Sequence, residues 1–408
     1  MLFSLNEFLM SVSFALDFVE MDILGARSNH GKRTAYIALR LSQQLGLGFE
    51  EIHDVVALSI LHDNGISEKS LQDRMETENN SSVRVLENIK EHCIIGEKNV
   101  MAYPFLSDVK HVLKYHHERY DGKGYFNLKG NEIPLMSQII HFGDVMERQL
   151  DINSEEKLAK QKIIEFMDKN KNKMFSEEMV EAFKKVIEES EFWLDIKDGS
   201  IGEILKIKVP QYKVDLSFEI IYQITQVLSK IIDSKSKYTQ RHSQGLSEKA
   251  AIMSDYYGFS NDNKMKLRIA ANLHDIGKLA VPNEILDKPG KLTIEEFDII
   301  KKHPYYTRVA LQQITGFEDI TEWAANHHEK LNGQGYPFGL RAESLDFNSR
   351  LMACLDIYQA LTEDRPYRKP LSHNQTMKIL KDMKDNGFLD GNIINDINIA
   401  FSKLSEQK

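Results

Sequence analysis

The sequence predicts an all-α protein made of two copies of one helical domain. The main observation is an internal repeat, in which LHDNG around His62 returns as LHDIG around His274, and HHERYDGKGY from His116 returns as HHEKLNGQGY from His327. One nearly constant offset of 211 or 212 residues indicates a duplicated unit. The apolar runs before each His-Asp pair also lack the two-residue alternation of strands. A chain of 408 residues exceeds the usual size of one domain.

Helical spacing of apolar side chains predicts the first elements. An amphipathic helix is expected near the N-terminus, where the recurring apolar residues are Leu5, Phe8, Leu9, Val12 and Leu16. Further along, the segment 169–173 (KNKNK) predicts a polar turn, and 177–190 predicts a helix.

The boundary between the copies is expected near residues 205–213. The run 204–209 (ILKIKV) is interpreted as a short strand or a linker. A helix over 216–232 is expected to open the second copy. The predicted domains are therefore 1–210 and 211–408.

Composition excludes several classes of protein. A net charge of −9 disfavours a binder of polymeric nucleic acid or of a membrane surface. The only cysteines, Cys93 and Cys354, cannot form a disulfide framework. The N-terminus has no basic segment or cleavage site, and no uncharged stretch reaches membrane-spanning length. A cytoplasmic protein without a membrane partner is expected.

Histidines and aspartates at aligned positions predict a metal centre. A single His-Asp pair on an apolar helix is usually structural, but five imidazoles and two carboxylates at one offset suit divalent transition metals. Seven ligands exceed the needs of one tetrahedral zinc, so two ions are expected. The predicted ligands are His242, His274, Asp275, His303, His327, His328 and Asp356. The aligned residues of the first copy are His30, His62, Asp63, His92, His116, His117 and Asp144.

Two residues of this set are assigned specific roles. Asp275 is the expected bridge between the ions, because it adjoins His274 on a predicted buried helix and adjacent helical residues point about 100° apart. Lys278 shares that helix face, where a cation offsets charge that develops on phosphoryl oxygens. Two ions can also activate and orient a water molecule for in-line attack.

Three further features allow two interpretations each. The loop with Gly333, Gly335 and Pro337 either lets the backbone approach a ligand or simply ends a helix. Arg365 and Arg368 either bind phosphate or form a surface basic cluster. Glu329, beside the double histidine, either orients a histidine or lies at a solvated helix end.

The second copy resembles the HD-GYP group of the HD phosphohydrolase superfamily. The matching segments are YTQRHS (238–243), LHDIGKLAVPNEILDKPGKLT (273–293), KKHP (301–304), HHEKLNGQGYP (327–337) and LDIYQALTEDRPYRK (355–369). The resemblance implies two tandem HD-type helical domains, a centre of two or three metals, and hydrolysis of cyclic dinucleotides, mainly cyclic di-GMP. It also implies that the seven aligned residues are ligands, that Asp275 and Lys278 are catalytic, and that Lys278, Tyr336, Arg365 and Arg368 face the substrate.

The departures from the HD-GYP pattern refine these implications. Tyr238 stands where trinuclear members have a glutamate, so the resemblance implies two divalent ions, with iron or manganese favoured over nickel or zinc. Gly245, Asn332 and Gln359 replace an arginine and two aspartates. None of the three is an implied ligand, so activity is expected to persist.

The first copy resembles a degenerate member of the same group. It keeps the ligand set, but Ile66 replaces the lysine, Phe126 replaces the proline of the GYP loop, and the RPYR segment has no counterpart. A regulatory or structural domain, with or without metal, is favoured over a second catalytic site of altered specificity.

The resemblance implies an enzyme, a phosphodiesterase that converts cyclic di-GMP to a linear dinucleotide, which some family members cut further to GMP. Tandem members that act on cyclic GMP-AMP provide one alternative. A signalling module that binds without catalysis, and a nucleotidase, are others. Further implied partners are a diguanylate cyclase or another signalling protein at loop 333–340, and a second copy of the chain.

Overall fold

The structure confirms the all-α class. The computed structural model describes residues 1–24, 28–67, 90–152, 154–234, 242–288, 290–364 and 368–405. Within these ranges the only paired strands are two short ones, Leu2–Phe3 and Val214–Asp215. None of the described helices combines the length and apolar character needed to cross a membrane.

The chain forms two compact units, Phe3–Val214 and Asp215–Lys408, and the residues Met1–Leu2 belong to the latter. This division lies four residues after the predicted boundary between 210 and 211.

The first unit is a bundle of short helices around an apolar core. Gly46 ends the second helix in the left-handed conformation (φ 76°), where glycine carries no Cβ penalty. Buried aromatic side chains such as Phe142, Phe183 and Phe192 contact one another in the core. The helices of its described residues are α1 (Leu5–Leu24), α2 (His30–Leu45), α3 (Phe49–Ile60), α4 (Glu91–Asn99), α5 (Leu135–Gln149), α6 (Glu156–Asn170), α7 (Glu177–Val186), α8 (Ser190–Asp195) and α9 (Ile201–Lys208).

The second unit is also helical. Ser260 and Asp346 cap helix N-termini through their side-chain oxygens, as expected for these residue types. The helices are α10 (Phe218–Ser234), α11 (His242–Tyr256), α12 (Asn261–Leu273), α13 (Asn283–Leu286), α14 (Ile294–Ile300), α15 (His303–Leu311), α16 (Glu318–Ala325), α17 (Phe347–Thr362), α18 (His373–Asp385) and α19 (Gly391–Ser405). Short 3₁₀ turns include Ile276–Ala280.

The interpretation of 204–209 as a strand or linker is wrong, because these residues form most of helix α9. Ile201 and Leu205, four residues apart, are both buried, which is the helical period. A strand would have placed Ile207 on the same face as Leu205, but Ile207 is 76% exposed. The predicted helix 177–190 ends earlier than expected, at Val186, and α8 follows.

Candidate metal centres

The predicted ligand histidines of the second unit lie where helices end or begin. His274 directly follows α12, His303 begins α15 shortly after α14 ends, and His327 follows α16. In each case the imidazole Nδ1 lies 2.6–2.8 Å from the carbonyl oxygen three residues earlier. Carbonyls in the last turn of a helix lack a helical partner, so they accept from Nδ1–H. This hydrogen bond leaves Nε2 of each ring for a metal ion.

The prediction that Asp275 lies within a helix is wrong. Helix α12 ends at Leu273, and Asp275 caps the following 3₁₀ turn. The turn packs tightly on α15, because a Cβ on Gly277 would lie 1.9 Å from the His303 carbonyl oxygen. The Thr307 hydroxyl donates to the His274 carbonyl oxygen at 2.8 Å and fixes this packing. Because Gly277 has no side chain, the turn can pack this closely on α15, and His303 lies next to Asp275.

All seven predicted ligands of the second unit come together in two sets around Asp275. The ligand atoms of each set lie within 4.8 Å of one another; the sets are His242, His274 and Asp356, and His303, His327 and His328. Asp275 lies between them, with its oxygens 3.1 Å from His274 Nε2 and 3.2 Å from His303 Nε2.

The donor set fits two divalent ions. His274 Nε2 is buried and forms no hydrogen bond with the residues that the structure describes, although carboxylate oxygens of Asp275 and Asp356 lie 3.1 and 3.9 Å away. Asp275 Oδ1 is likewise buried without a hydrogen-bond partner among the described residues. Buried polar atoms without a partner require an explanation, and a bound ion supplies one. Mixed imidazole and carboxylate donors suit transition metals.

Burial and neighbouring charges together shift the pKa values of these groups. It lowers the pKa of His303 and lowers the pKa of His328 to about 3. Burial by itself raises the pKa of Asp275, but His274 and Lys278 outweigh it and hold this pKa well below its usual range. Neutral imidazoles and an ionised carboxylate are the forms that bind metal.

Glu363 contacts a predicted ligand, and the sequence did not predict this contact. Its carboxylate lies 2.9 Å from His242 Nδ1, while Asp356 lies 2.9 Å from His242 Nε2. Burial by itself lowers the pKa of His242, but the hydrogen bonds to Asp356 and Glu363 outweigh it and raise the pKa to about 10. A carboxylate on Nδ1 orients the ring and makes Nε2 a stronger ligand once a bound ion has displaced the Nε2 proton.

Two positions at which the second copy departs from the HD-GYP pattern, Gly245 and Gln359, explain the position of Glu363. Gly245 and Gln359 are neighbours, since a Cβ on Gly245 would lie 2.4 Å from Gln359 Nε2. In the first unit the aligned residues, Arg33 and Glu147, form a buried ion pair at 2.6 Å, and Glu147 binds His30 Nδ1 at 2.6 Å. In the second unit the carboxylate stands one turn later, and Gln359 Nε2 donates to it at 3.0 Å.

The predicted substrate residues are placed differently from one another. Lys278 Nζ lies 2.6 Å from Asp275 Oδ2, and the Tyr336 ring centroid lies 4.8 Å from that of His328. Arg368 donates to the Ala360 carbonyl oxygen. Among the residues that the structure describes, it forms no hydrogen bond with a predicted ligand. Arg365 lies outside the described residues, as does Tyr238.

Glu329 holds the loop that follows the double histidine, which neither interpretation of this residue anticipated. Its buried carboxylate accepts from the backbone N–H groups of Phe338 and Leu340 at 2.8 and 2.9 Å. A Cβ on Gly335 would lie 2.4 Å from the Glu329 Cα, so the loop passes directly over this residue. The interpretation of the glycine-rich loop as the end of a helix is wrong, because α16 ends at Ala325, eight residues before Gly333. The loop instead carries Tyr336 beside His328.

The first unit also brings its predicted ligands together. His30, His62 and Asp144 form one set within 4.8 Å, and His92, His116 and His117 belong to another. Asp63 Oδ1 lies 3.7 Å from both His92 Nε2 and His116 Nε2. Ile66, at the position of Lys278, is buried and supplies no charge.

Known proteins resemble this chain along nearly its whole length. A family profile described as HD domain matches residues 19–173 and 226–393. A 3'3'-cGAMP-specific phosphodiesterase of Vibrio cholerae serotype O1 is 30% identical over 404 residues, covering 96% of this chain and 90% of the relative. A cyclic di-GMP phosphodiesterase of Pseudomonas aeruginosa is 33% identical over 178 residues, which is 42% of each chain.

The fold is shared with a solved structure. A crystal structure of a cyclic GMP-AMP specific phosphodiesterase of V. cholerae covers 98% of both chains with a TM-score of 0.69 and 24% identity. The HD domain profile covers more than half of the chain, in one stretch of each unit, and the motifs of the second stretch are those of the HD-GYP group. The chain belongs to the HD domain family, within its HD-GYP group.

Proposed function

We propose that the second unit is a metal-dependent phosphodiesterase that hydrolyses cyclic dinucleotides, with 3'3'-cGAMP as its substrate. The observation that carries the proposal is the convergence of two three-residue ligand sets on Asp275. The relative that is aligned with nearly the whole chain is named for 3'3'-cGAMP, whereas the cyclic di-GMP relative aligns over 42% of it. The cyclic GMP-AMP alternative is therefore favoured over cyclic di-GMP.

The side chains around Asp275 have separate tasks in this reaction. When bound, two divalent ions supply an activated water nucleophile and offset charge on the phosphoryl oxygens. Lys278, held at 2.6 Å by Asp275, adds a positive charge at the same place. Tyr336 lies beside His328 at the edge of the centre and offers an aromatic face and a hydroxyl to the substrate. Departure of the sugar 3′ oxygen then gives the linear dinucleotide.

Hydrolysis by the first unit is not part of the proposal. Its counterpart of Lys278 is the buried Ile66, and its counterpart of Pro337 is Phe126. We propose that this unit has a regulatory or structural role.

Hydrolysis of 3'3'-cGAMP and cyclic di-GMP by the purified full chain tests the proposal. Wild-type protein should hydrolyse 3'3'-cGAMP faster, and Asp275→Ala should lose both the activity and bound metal. Asp298→Ala is the matched control, because Asp298 is exposed and pairs only with Lys301 among described residues. Equal hydrolysis by Asp275→Ala and wild type would contradict the proposal.

The result with the aligned variant of the first unit locates the activity. Asp63→Ala is expected to retain hydrolysis, since the reacting groups are assigned to the second unit. Loss of hydrolysis in Asp63→Ala with the second unit's metal intact would instead favour a second catalytic site. Binding of 3'3'-cGAMP by metal-loaded protein without any product would favour the non-catalytic signalling module.

A further inference from the structure

Cys93 lies inside the predicted ligand cluster of the first unit. The sulfur and one nitrogen from each of three histidines lie within 4.8 Å of one another; the residues are His92, Cys93, His116 and His117. Cys93 is fully buried, as is His116. The second unit has Pro304 at the aligned position, which offers no donor atom. The two units therefore differ in ligand chemistry at equivalent positions.

The distance between the sulfur and the nearest histidine nitrogen matches a tetrahedral metal site. Cys93 Sγ lies 3.5 Å from His92 Nε2. Zinc bonds of about 2.3 Å to sulfur and about 2.05 Å to nitrogen in tetrahedral geometry separate the two ligand atoms by about 3.6 Å. His116 Nδ1 is bonded to the Leu113 carbonyl oxygen, and its buried Nε2 forms no hydrogen bond within the described part of the chain. The ring is thus oriented with Nε2 directed at the cluster.

The other ligand set of the first unit already contains a cation. Arg148 Nε lies 3.0 Å from Asp144 Oδ1, the oxygen that also lies 3.2 Å from His30 Nε2. The aligned residue of the second unit is Ala360, which carries no charge. A guanidinium on this carboxylate opposes a divalent ion at the same place, because like charges repel strongly in a buried site.

We propose that the first unit holds one zinc ion through His92, Cys93, His116 and His117, as a structural site. A thiolate shifts the preference toward zinc and away from harder ions. Four protein ligands close the coordination sphere and leave no position for a reacting water. This is consistent with the loss of the lysine at Ile66. The proposal does not depend on the activity of the second unit.

The optical spectrum of cobalt-substituted full-length protein tests the thiolate ligand. Wild type should show a thiolate-to-cobalt charge-transfer band in the near ultraviolet, which imidazole and carboxylate ligands do not produce. Cys93→Ser should lose the band and one bound ion per chain. Cys354→Ser is the matched control, because Cys354 is the other buried cysteine and should keep the band. A band that persists in Cys93→Ser, or is absent from wild type, would overturn the proposal.

X-ray absorption at the zinc edge provides a test that does not require Cys93→Ser to fold. Zinc-loaded Cys354→Ser retains Cys93 as its only cysteine. A sulfur neighbour at about 2.3 Å from zinc in this protein supports the proposal. A zinc environment of nitrogen and oxygen alone refutes it. Neither result bears on the proposed hydrolysis of cyclic dinucleotides by the second unit.

Discussion

Removal of the Glu363 carboxylate should weaken the metal centre of the second unit. Glu363 binds His242 Nδ1 at 2.9 Å, and the side chains of His242 and Glu363 are 4% and 12% exposed. Water therefore has little access to replace the lost interaction. Glu363→Gln keeps the shape and a hydrogen-bonding group but removes the charge, whereas Glu363→Ala removes both.

The expected magnitude follows from the burial and charge of this hydrogen bond. A hydrogen bond to a charged group contributes about 1.5–3 kcal/mol. Loss of a carboxylate that supports a ligating histidine typically lowers metal affinity or activity by about 10–100-fold, equivalent to about 1.4–2.8 kcal/mol. The two estimates agree. Glu363→Gln is expected near the lower limit and Glu363→Ala near the upper limit.

Competition with a chromophoric chelator measures the metal affinity, and turnover of 3'3'-cGAMP measures the consequence for activity. The matched control is Glu248→Gln, on helix α11 with His242 but exposed. Metal affinity and turnover that are unchanged in both Glu363 variants would refute a role for this carboxylate in orienting His242. If Glu363→Ala alone shows reduced helical content, its metal affinity reflects unfolding, and Glu363→Gln then serves as the test of the carboxylate.

Three further perturbations test other parts of the site. Lys278→Met should lower turnover by about 100-fold with metal content retained, because it removes a positive charge that stabilises the phosphoryl oxygens. The control Lys301→Met should match wild type, and wild-type turnover in Lys278→Met would contradict the role of Lys278 in charge stabilisation. Gly277→Ala should lower the midpoint of thermal unfolding, since overpacking costs about 1–3 kcal/mol. Gly202→Ala should leave the midpoint unchanged, because a Cβ on Gly202 would meet no neighbouring atom within 4 Å. A larger decrease in Gly202→Ala than in Gly277→Ala would exclude the close packing at Gly277. Chelation should lower the unfolding midpoint, and re-addition of metal should restore it. A midpoint that chelation leaves unchanged would contradict metal binding by the ligand clusters.

The chemistry of the site was predictable because it depends on residue types at fixed intervals. The repeated His and Asp residues predicted which side chains meet, and the structure brings together all seven in the second unit. The position of Asp275 was less predictable. Helical periodicity predicts that it lies inside a helix, but the helix ends at Leu273 and Asp275 caps a 3₁₀ turn that packs closely on α15 at Gly277.

Local sequence alone could not assign the residues that support or extend the ligand sets. Glu363 lies inside the matching segment 355–369, but this position does not predict its partner, and the residue reaches His242 because helix α17 packs beside α11. Gly245 and Gln359 looked like separate departures, yet they are neighbours in space. Cys93 was counted only as one of two isolated cysteines, although it adjoins His92 in the sequence, and this adjacency was the signal that could have identified it.

The all-α class and the residues of the predicted ligand sets follow from the sequence, because apolar spacing and donor type are local properties of the chain. Three other features become visible only in the folded chain: the division of the predicted ligands into two sets, the helix α9 in place of the expected strand, and the contact of Glu329 with the loop after His328. These features depend on contacts between residues far apart in the chain or on which face is buried. The packing of the helices determines these contacts and the buried faces, and the spacing and type of the residues do not predict them.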